Sequence, residues 1–292
     1  MQAILGKKFL LSLIVWILVA LTPILPARAC TLFAAAGSRV AGGGTLIAKN
    51  RDLRPQFDDV QMVTPPAGRR YLGLFFHDGA RQGVTAGIND RGLVIVGALA
   101  GSVPKAQRHR GTRNLLRQVL TSFDSVAAVA AGRDLFDSSH PVFYLLADRT
   151  HIALVEVAPL GRVALTVTAN GTLAHTNHYL DNGLEDANYK VAASSRIRFH
   201  RIQELLGLGR RPLTLQDFIT FSQDRHDGPD YSIWRTGSTP TKTRTLATWI
   251  VQHLKDEPPR LYVKLANPGE AEKSFTLKLD AAFWAQGTVT YE

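Results

Sequence analysis

Residues 27–36 read Ala-Arg-Ala-Cys-Thr-Leu-Phe-Ala-Ala-Ala, and the bond between Ala29 and Cys30 decides how the rest of the chain is read. Upstream, Lys7 and Lys8 precede an apolar run from Phe9 to Leu21, followed by Thr22-Pro23-Ile24-Leu25-Pro26. A positive start, an apolar core and an A-x-A site form the pattern of a secretory signal peptide. The apolar run is short of the ~20 residues that a bilayer span needs, and two prolines end it. The expectation is a signal peptide over residues 1–29, removed by signal peptidase, and one domain over residues 30–292. The mature protein is then secreted or periplasmic, with no stable membrane anchor.

Cleavage after Ala29 makes Cys30, the single cysteine of the 292-residue chain, the first residue of the mature protein. One reading is a lipobox cysteine whose acylated thiol anchors a binding or scaffold protein. Arg28 beside the cleavage site fits that poorly. Another reading is an N-terminal nucleophile. A thiol beside its own α-amine has a general base built in, because the reference pKa of the amine is about 7.7–8.0. A third reading is an inert buried cysteine.

Composition narrows the classes. A single cysteine excludes an intramolecular disulfide and every Cys-rich metal site. Hydrophobic content of 45% and charged content of 20% are those of an ordinary globular fold. The formal charge of +10 falls to +7 once residues 1–29 are removed, since they carry Lys7, Lys8 and Arg28 and no acid. Basic residues are scattered, apart from the cluster Arg108-His109-Arg110-Gly111-Thr112-Arg113. That dispersal, in an exported chain, argues against nucleic acid as a partner.

From Cys30 outward, Thr31–Ala36 and Thr45–Asn50 read as the two strands of a hairpin, with Gly42-Gly43-Gly44 in the turn. Val60–Val63 and Tyr71–Phe76 read as further strands. Residues 85–97 read as a tight hairpin turning at Asn89-Asp90-Arg91-Gly92. Helices are expected over Thr112–Ser122 and Ser125–Leu135, then a meander of Pro141–Asp148, His151–Val157 and Arg162–Thr168. Tyr189–Leu208 and Thr214–Ser222 read as helices. Thr245–Leu254, Arg260–Leu265 and Ser274–Leu279 close the chain as strands. Two sets of antiparallel strands with two sets of helices imply a layered α+β fold.

The order of several short motifs resembles one family. These are Cys30-Thr31, Lys49-Asn50-Arg51-Asp52, Gly87-Ile88-Asn89-Asp90-Arg91-Gly92-Leu93, His175-Thr176-Asn177-His178, Ser194-Ser195-Arg196, Asp227-Gly228-Pro229 with Ser232-Ile233-Trp234-Arg235, and Asn267-Pro268. Together they are similar to the cysteine-type N-terminal-nucleophile (Ntn) hydrolases of the acyl-coenzyme A:6-aminopenicillanic acid acyltransferase group. Choloylglycine hydrolases and acid ceramidase are more distant relatives. The resemblance implies a four-layer αββα sandwich with antiparallel sheets, no cofactor and no metal. It also implies cleavage or acyl transfer at a linear amide of an N-acylated small molecule.

Carried over by residue, the resemblance makes Cys30 the nucleophile. Asp52 is the carboxylate that hydrogen-bonds the N-terminal residue, Asn177 an oxyanion donor, and Arg196 a supporting cation. Two departures stand out. Bile-salt relatives carry Arg three residues before the Asp, where this chain has Lys49. They also carry a second oxyanion Asn at a place that aligns with about Leu99, so a backbone N–H is expected to replace it. His175 and His178 have H-x-x-H spacing but no acidic third ligand in the sequence nearby, so no metal is expected there.

Overall fold

The structure is a computed structural model that describes residues 29–108, 110–208, 211–286 and 289. The predicted signal peptide, apart from Ala29, lies outside the described residues. In chain order the strands begin with β1 (Ala29–Ala36), β2 (Thr45–Leu53), β3 (Phe57–Val63), β4 (Tyr71–Asp78), β5 (Arg81–Asn89) and β6 (Val94–Leu99). Helices α1 (Leu115–Ser122) and α2 (Val126–Ala131) follow. Then come β7 (Val142–Ala147), β8 (Ile152–Val157), β9 (Val163–Thr168) and β10 (Gly171–His175). Helices α3 (Ala193–Gly207), α4 (Leu215–Ser222) and α5 (Gly228–Tyr231) precede β11 (Arg244–His253), β12 (Arg260–Leu265), β13 (Lys273–Lys278) and α6 (Ala281–Ala285).

The strands form two antiparallel sheets. One has the order β10-β1-β2-β11-β12-β13, and the other runs β3-β4-β5-β6-β7-β8-β9. Strand period two assigns the faces. On β1, Cys30, Leu32, Ala34 and Ala36 point between the sheets, against Leu72, Leu74, Ile88 and Val96. Phe33 and Ala35 point the other way, onto Ile202, Leu205 and Leu206 of α3 and Phe218 of α4. The far face of the seven-stranded sheet carries α1 and α2 through Leu116, Val119, Leu120, Val126 and Val129. The layers are therefore helix, sheet, sheet, helix: the expected αββα sandwich in an α+β fold.

Local chemistry sets the ends. Ser125 caps α2 through the Ala128 N–H, and Thr214 with Asp217 forms a capping box at the start of α4. The Ser125–Leu135 helix expected from sequence is shorter, because Gly132 ends α2 and a single 3₁₀ turn follows. The long helix starts at Ala193 rather than near Tyr189. Residues 189 and 190 instead bond back through Ala187 O and Ser102 O.

The β1–β2 connection needs its glycines. Gly42, Gly43 and Gly44 have φ of 82°, 76° and 81°. At Gly44 an added Cβ would lie 2.0 Å from the His253 carbonyl oxygen, whereas at Gly43 it meets open space. Gly43→Ala is therefore expected to cost about 1–2 kcal/mol, the left-handed strain alone. Gly44→Ala should cost clearly more, because backbone must move. Urea unfolding of the two variants checks the difference, and equal losses would contradict it.

Candidate active site

The site forms where the six-stranded sheet runs out of backbone pairing. β1 pairs with β10 up to Leu32 opposite His175, and Thr176 and Asn177 then leave the ladder. Past that point the Cys30 N–H has no strand partner on this side. It donates instead to the side-chain Oδ1 of Asn177, at 2.9 Å. On its other side β1 remains paired, with Cys30 opposite Arg51 and Ala29 opposite Asp52.

Asn177 is held at every polar group. Its N–H donates to Ser195 Oγ (3.0 Å), and its carbonyl accepts the Ser102 N–H (3.1 Å). Its Nδ2 donates to the carbonyl of Leu99 (2.9 Å). Since an amide NH₂ has two hydrogens, one remains free to meet a substrate oxygen. Leu99, at the place where relatives carry a second Asn, supplies through its carbonyl an acceptor that orients Asn177.

Arg198 links this corner together. Its Nη1 donates to the Cys30 carbonyl (2.6 Å) and to Thr31 Oγ1 (2.7 Å), and its Nη2 donates to Asn177 Oδ1 (3.0 Å). Nη1 also lies 4.0 Å from Asp52 Oδ2, with both side chains fully buried. Burial pulls the guanidinium down to about 10, against the opposing pull of Asp52. Asp52 accepts from Thr245 Oγ1 at 2.8 Å through Oδ1, while its buried Oδ2 has no hydrogen-bond donor among the described residues. Burial pushes this carboxyl upward, and Arg198 and Arg235 pull it back. A β-bulge between Thr245 and Ala247 lies directly beside Asp52. Bulges of this kind re-aim side chains next to functional sites. Asp52 makes no direct hydrogen bond to Cys30 among the described residues; Arg198 stands between them.

The four residues read from sequence are thus placed differently. Cys30, Asp52 and Asn177 meet around one guanidinium. Arg196 does not join them: it is exposed on α3, and Arg198 occupies the site. The reason is helical geometry. At 3.6 residues per turn, two positions rotate a side chain by about 200°, so Arg196 and Arg198 face opposite ways. The buried stripe of α3 is Ser194, Arg198, Ile202, Leu205 and Leu206. Stepping back four residues from Ile202 along that stripe reaches Arg198, a signal present in the sequence. Arg235 was read only as part of a motif. It is buried too, with Nε and Nη1 lacking hydrogen-bond partners.

The remaining motif residues brace this corner. Ser195 Oγ contacts Thr176 Oγ1 and His178 Nδ1, each at 2.9 Å. Burial, with help from nearby His175 and Arg196, lowers His178 to about 4, so it is neutral near pH 7. His175 pairs with buried Glu156 at 2.7 Å. Glu156 also accepts the N–H groups of Leu180 and Asp181, so it clamps the chain on both sides of Asn177. The H-x-x-H pair is therefore engaged in separate contacts. Among the described residues, no group of three or more His, Cys, Asp or Glu could hold a metal ion.

An αββα sandwich with a cysteine beginning its central hairpin defines the Ntn-hydrolase class. The family model for acyl-coenzyme A:6-aminopenicillanic acid acyl-transferase matches residues 40–270, and the chain belongs to that family. Its members are enzymes of linear amide bonds, hydrolases or acyltransferases. Two solved structures of mutant forms of the conjugated bile acid hydrolase from Clostridium perfringens share the fold. Their TM-scores are 0.56 and 0.57 at 13% identity, covering 90% of this chain and 97% of theirs. No curated protein sequence matches the chain.

The two arginines of α3 give a sharp test. Arg196→Ala should change stability by no more than about 0.5 kcal/mol, as an exposed substitution does, and leave turnover near wild type. Arg198→Met removes the buried partner of Asp52 and should cost about 3–5 kcal/mol, with turnover lost. Thermal unfolding and amide turnover of both proteins read this out. Equal behaviour would refute the assignment of Arg198.

Proposed function

We propose that the protein is an exported cysteine amidase or acyltransferase that opens the linear amide of an N-acylated small molecule through a thioester on Cys30. The observation that carries this reading is the treatment of the Cys30 nitrogen. It is held by Asn177 Oδ1, with Arg198 on the adjoining carbonyl. A buried carboxylate oxygen of Asp52, lacking a donor, stands at the same strand end. Such an arrangement suits an ammonium better than a peptide N–H. Cutting the Ala29–Cys30 bond would create that ammonium, and the new charge would draw the Asp52 carboxyl down toward its ionised form.

The steps then follow. The freed α-amine takes the thiol proton, and the sulfur attacks the substrate carbonyl. The remaining Asn177 Nδ2 hydrogen donates to the oxyanion. The α-ammonium returns a proton to the departing nitrogen as the C–N bond breaks, leaving the thioester. Water or a second amine releases the acyl group. Hydrolysis is favoured over transfer because export separates the enzyme from cytosolic acyl-coenzyme A. Intact mass of the mature N-terminus separates this from the lipid-anchor reading: a free Cys30 supports the enzyme, a diacylglyceryl adduct the anchor.

Cys30→Ala should fold and show no turnover on a panel of N-acyl amino acids, lactams, acyl-homoserine lactones and bile-salt conjugates. Turnover retained in processed Cys30→Ala protein would sink the mechanism. Protein kept in the cytosol with residues 1–29 attached should be inactive, its amine tied up as an amide; intact mass verifies the state of the N-terminus. Asp52→Asn removes the charge that stabilises the ammonium, so the amine loses its proton at lower pH. The acidic limb of the rate–pH profile should move down accordingly. Asn177→Ala should lower acylation by about 10²–10³ without moving that limb. A limb that moves in Asn177→Ala and not in Asp52→Asn would reverse the two roles.

A further inference from the structure

Lys49 is a buried charge in the space between the sheets. It lies on β2 and is 1% exposed. Within its sheet it is flanked by Leu32 on β1 and Trp249 on β11, both apolar. Directly opposite residues of an antiparallel pair share a face, so Lys49, like Leu32, points between the sheets. Cys30 points the same way, one diagonal step along, and such diagonals span roughly 7–8 Å between Cα atoms. Across the core, Lys49 Nζ donates to the Thr85 carbonyl of β5 at 2.6 Å. That is the one hydrogen bond the described residues give it, although an ammonium has three donors.

A buried ammonium is normally paired with a carboxylate. The carboxylate that acts on it from the facing sheet, Asp58 of β3, is engaged by Arg51 at 2.9 Å. It is also bracketed by Asn267, which bonds the Asp58 N–H and carbonyl. Asp52 points to the opposite face of the sheet, toward Arg198. The charged and titratable groups that act on Lys49 are therefore Cys30 from β1, Arg51 and Asp52 from its own strand, and Asp58 from β3. Of these, Cys30 shares the inter-sheet face with Lys49 at the diagonal position of the β1–β2 ladder.

We propose that Lys49 is the counter-ion of the Cys30 thiolate, an ammonium without a carboxylate of its own, strapped to the opposite sheet so that the attacking sulfur completes its pairing. The proposal rests on the reading of Cys30 as nucleophile. Lys49 keeps its proton throughout: the thiol proton goes to the α-amine and from there to the leaving nitrogen, while the C–S bond forms and the C–N bond breaks. A lysine here has no bidentate fork, and it titrates at lower pH than a guanidinium does. Burial brings Lys49 down to about 8. Below that pH it is charged and supports the thiolate. As pH rises through it, the support is lost and the rate falls.

The test is the pair Lys49→Arg and Lys49→Met. In wild type, kcat/KM should decline on the alkaline side with a midpoint near 8. In Lys49→Arg that decline should be absent up to about pH 10, since guanidinium stays charged. In Lys49→Met, alkylation of Cys30 by iodoacetamide near neutral pH, followed by mass, should slow by about tenfold or more, because the thiolate is the reactive form. Alkylation needs no substrate. Wild-type alkylation rates in Lys49→Met overturn the pairing whether or not Cys30 proves to be the nucleophile, which Cys30→Ala tests separately. Should Lys49→Met fail to fold, an alkaline limb that persists unmoved in Lys49→Arg overturns it instead.

Discussion

The buried guanidinium of Arg198 is the contact on which this corner depends. One side chain reaches the carbonyl of Cys30, the hydroxyl of Thr31, the amide oxygen of Asn177 and the neighbourhood of Asp52. Those groups come from β1, the segment after β10, and β2, so a single residue of α3 fixes three elements against one another. A charge so deeply buried is costly unless it is satisfied, and removing either partner leaves the other exposed to that cost. The same cation that orders β1 therefore also sets the geometry of the Cys30 nitrogen and its acceptor.

The alternation of β2 distributes chemistry between two faces. In the run Lys49-Asn50-Arg51-Asp52, Lys49 and Arg51 look into the space between the sheets. Asn50 and Asp52 look toward the helices. Asn50 donates to the Ser222 and Ile233 carbonyls, which seats the end of α4 and the segment before β11. Arg51 holds Asp58 and lies over the ring of Phe76. Four consecutive polar residues can all be buried because each has a different element to answer it.

Most of the fold was legible in the sequence, because strands declare themselves by short apolar runs and hairpins by their glycines. The Cys30 and Lys49–Asp52 strands, the Asn89–Gly92 turn and the meander over residues 142–168 lie where the pattern put them. Asn89 shows why such motifs carry weight: its side chain accepts the N–H groups of Arg91 and Leu93 and donates to the Leu120 and Phe123 carbonyls. The placement of the supporting arginine was less legible. A motif fixes residue types, whereas the inward face of a helix depends on which stripe is covered, and that stripe favours Arg198 over Arg196. The link from Asn177 to the Cys30 nitrogen was also hidden, since it exists only because the β1–β10 ladder stops at Leu32.

The pairing of Ala29 with Asp52 has a consequence for timing. Ala29 and Cys30 are 2% and 5% exposed, and both belong to the β1–β2 ladder. A peptidase acts on a strand it can surround, and a bond already zipped into the middle layers of a sandwich offers no such access. If an external enzyme frees Cys30, it must act on the nascent or newly translocated chain, before the first hairpin closes. On that condition maturation and folding compete, and a chain that folded first would keep the Cys30 nitrogen tied up as an amide.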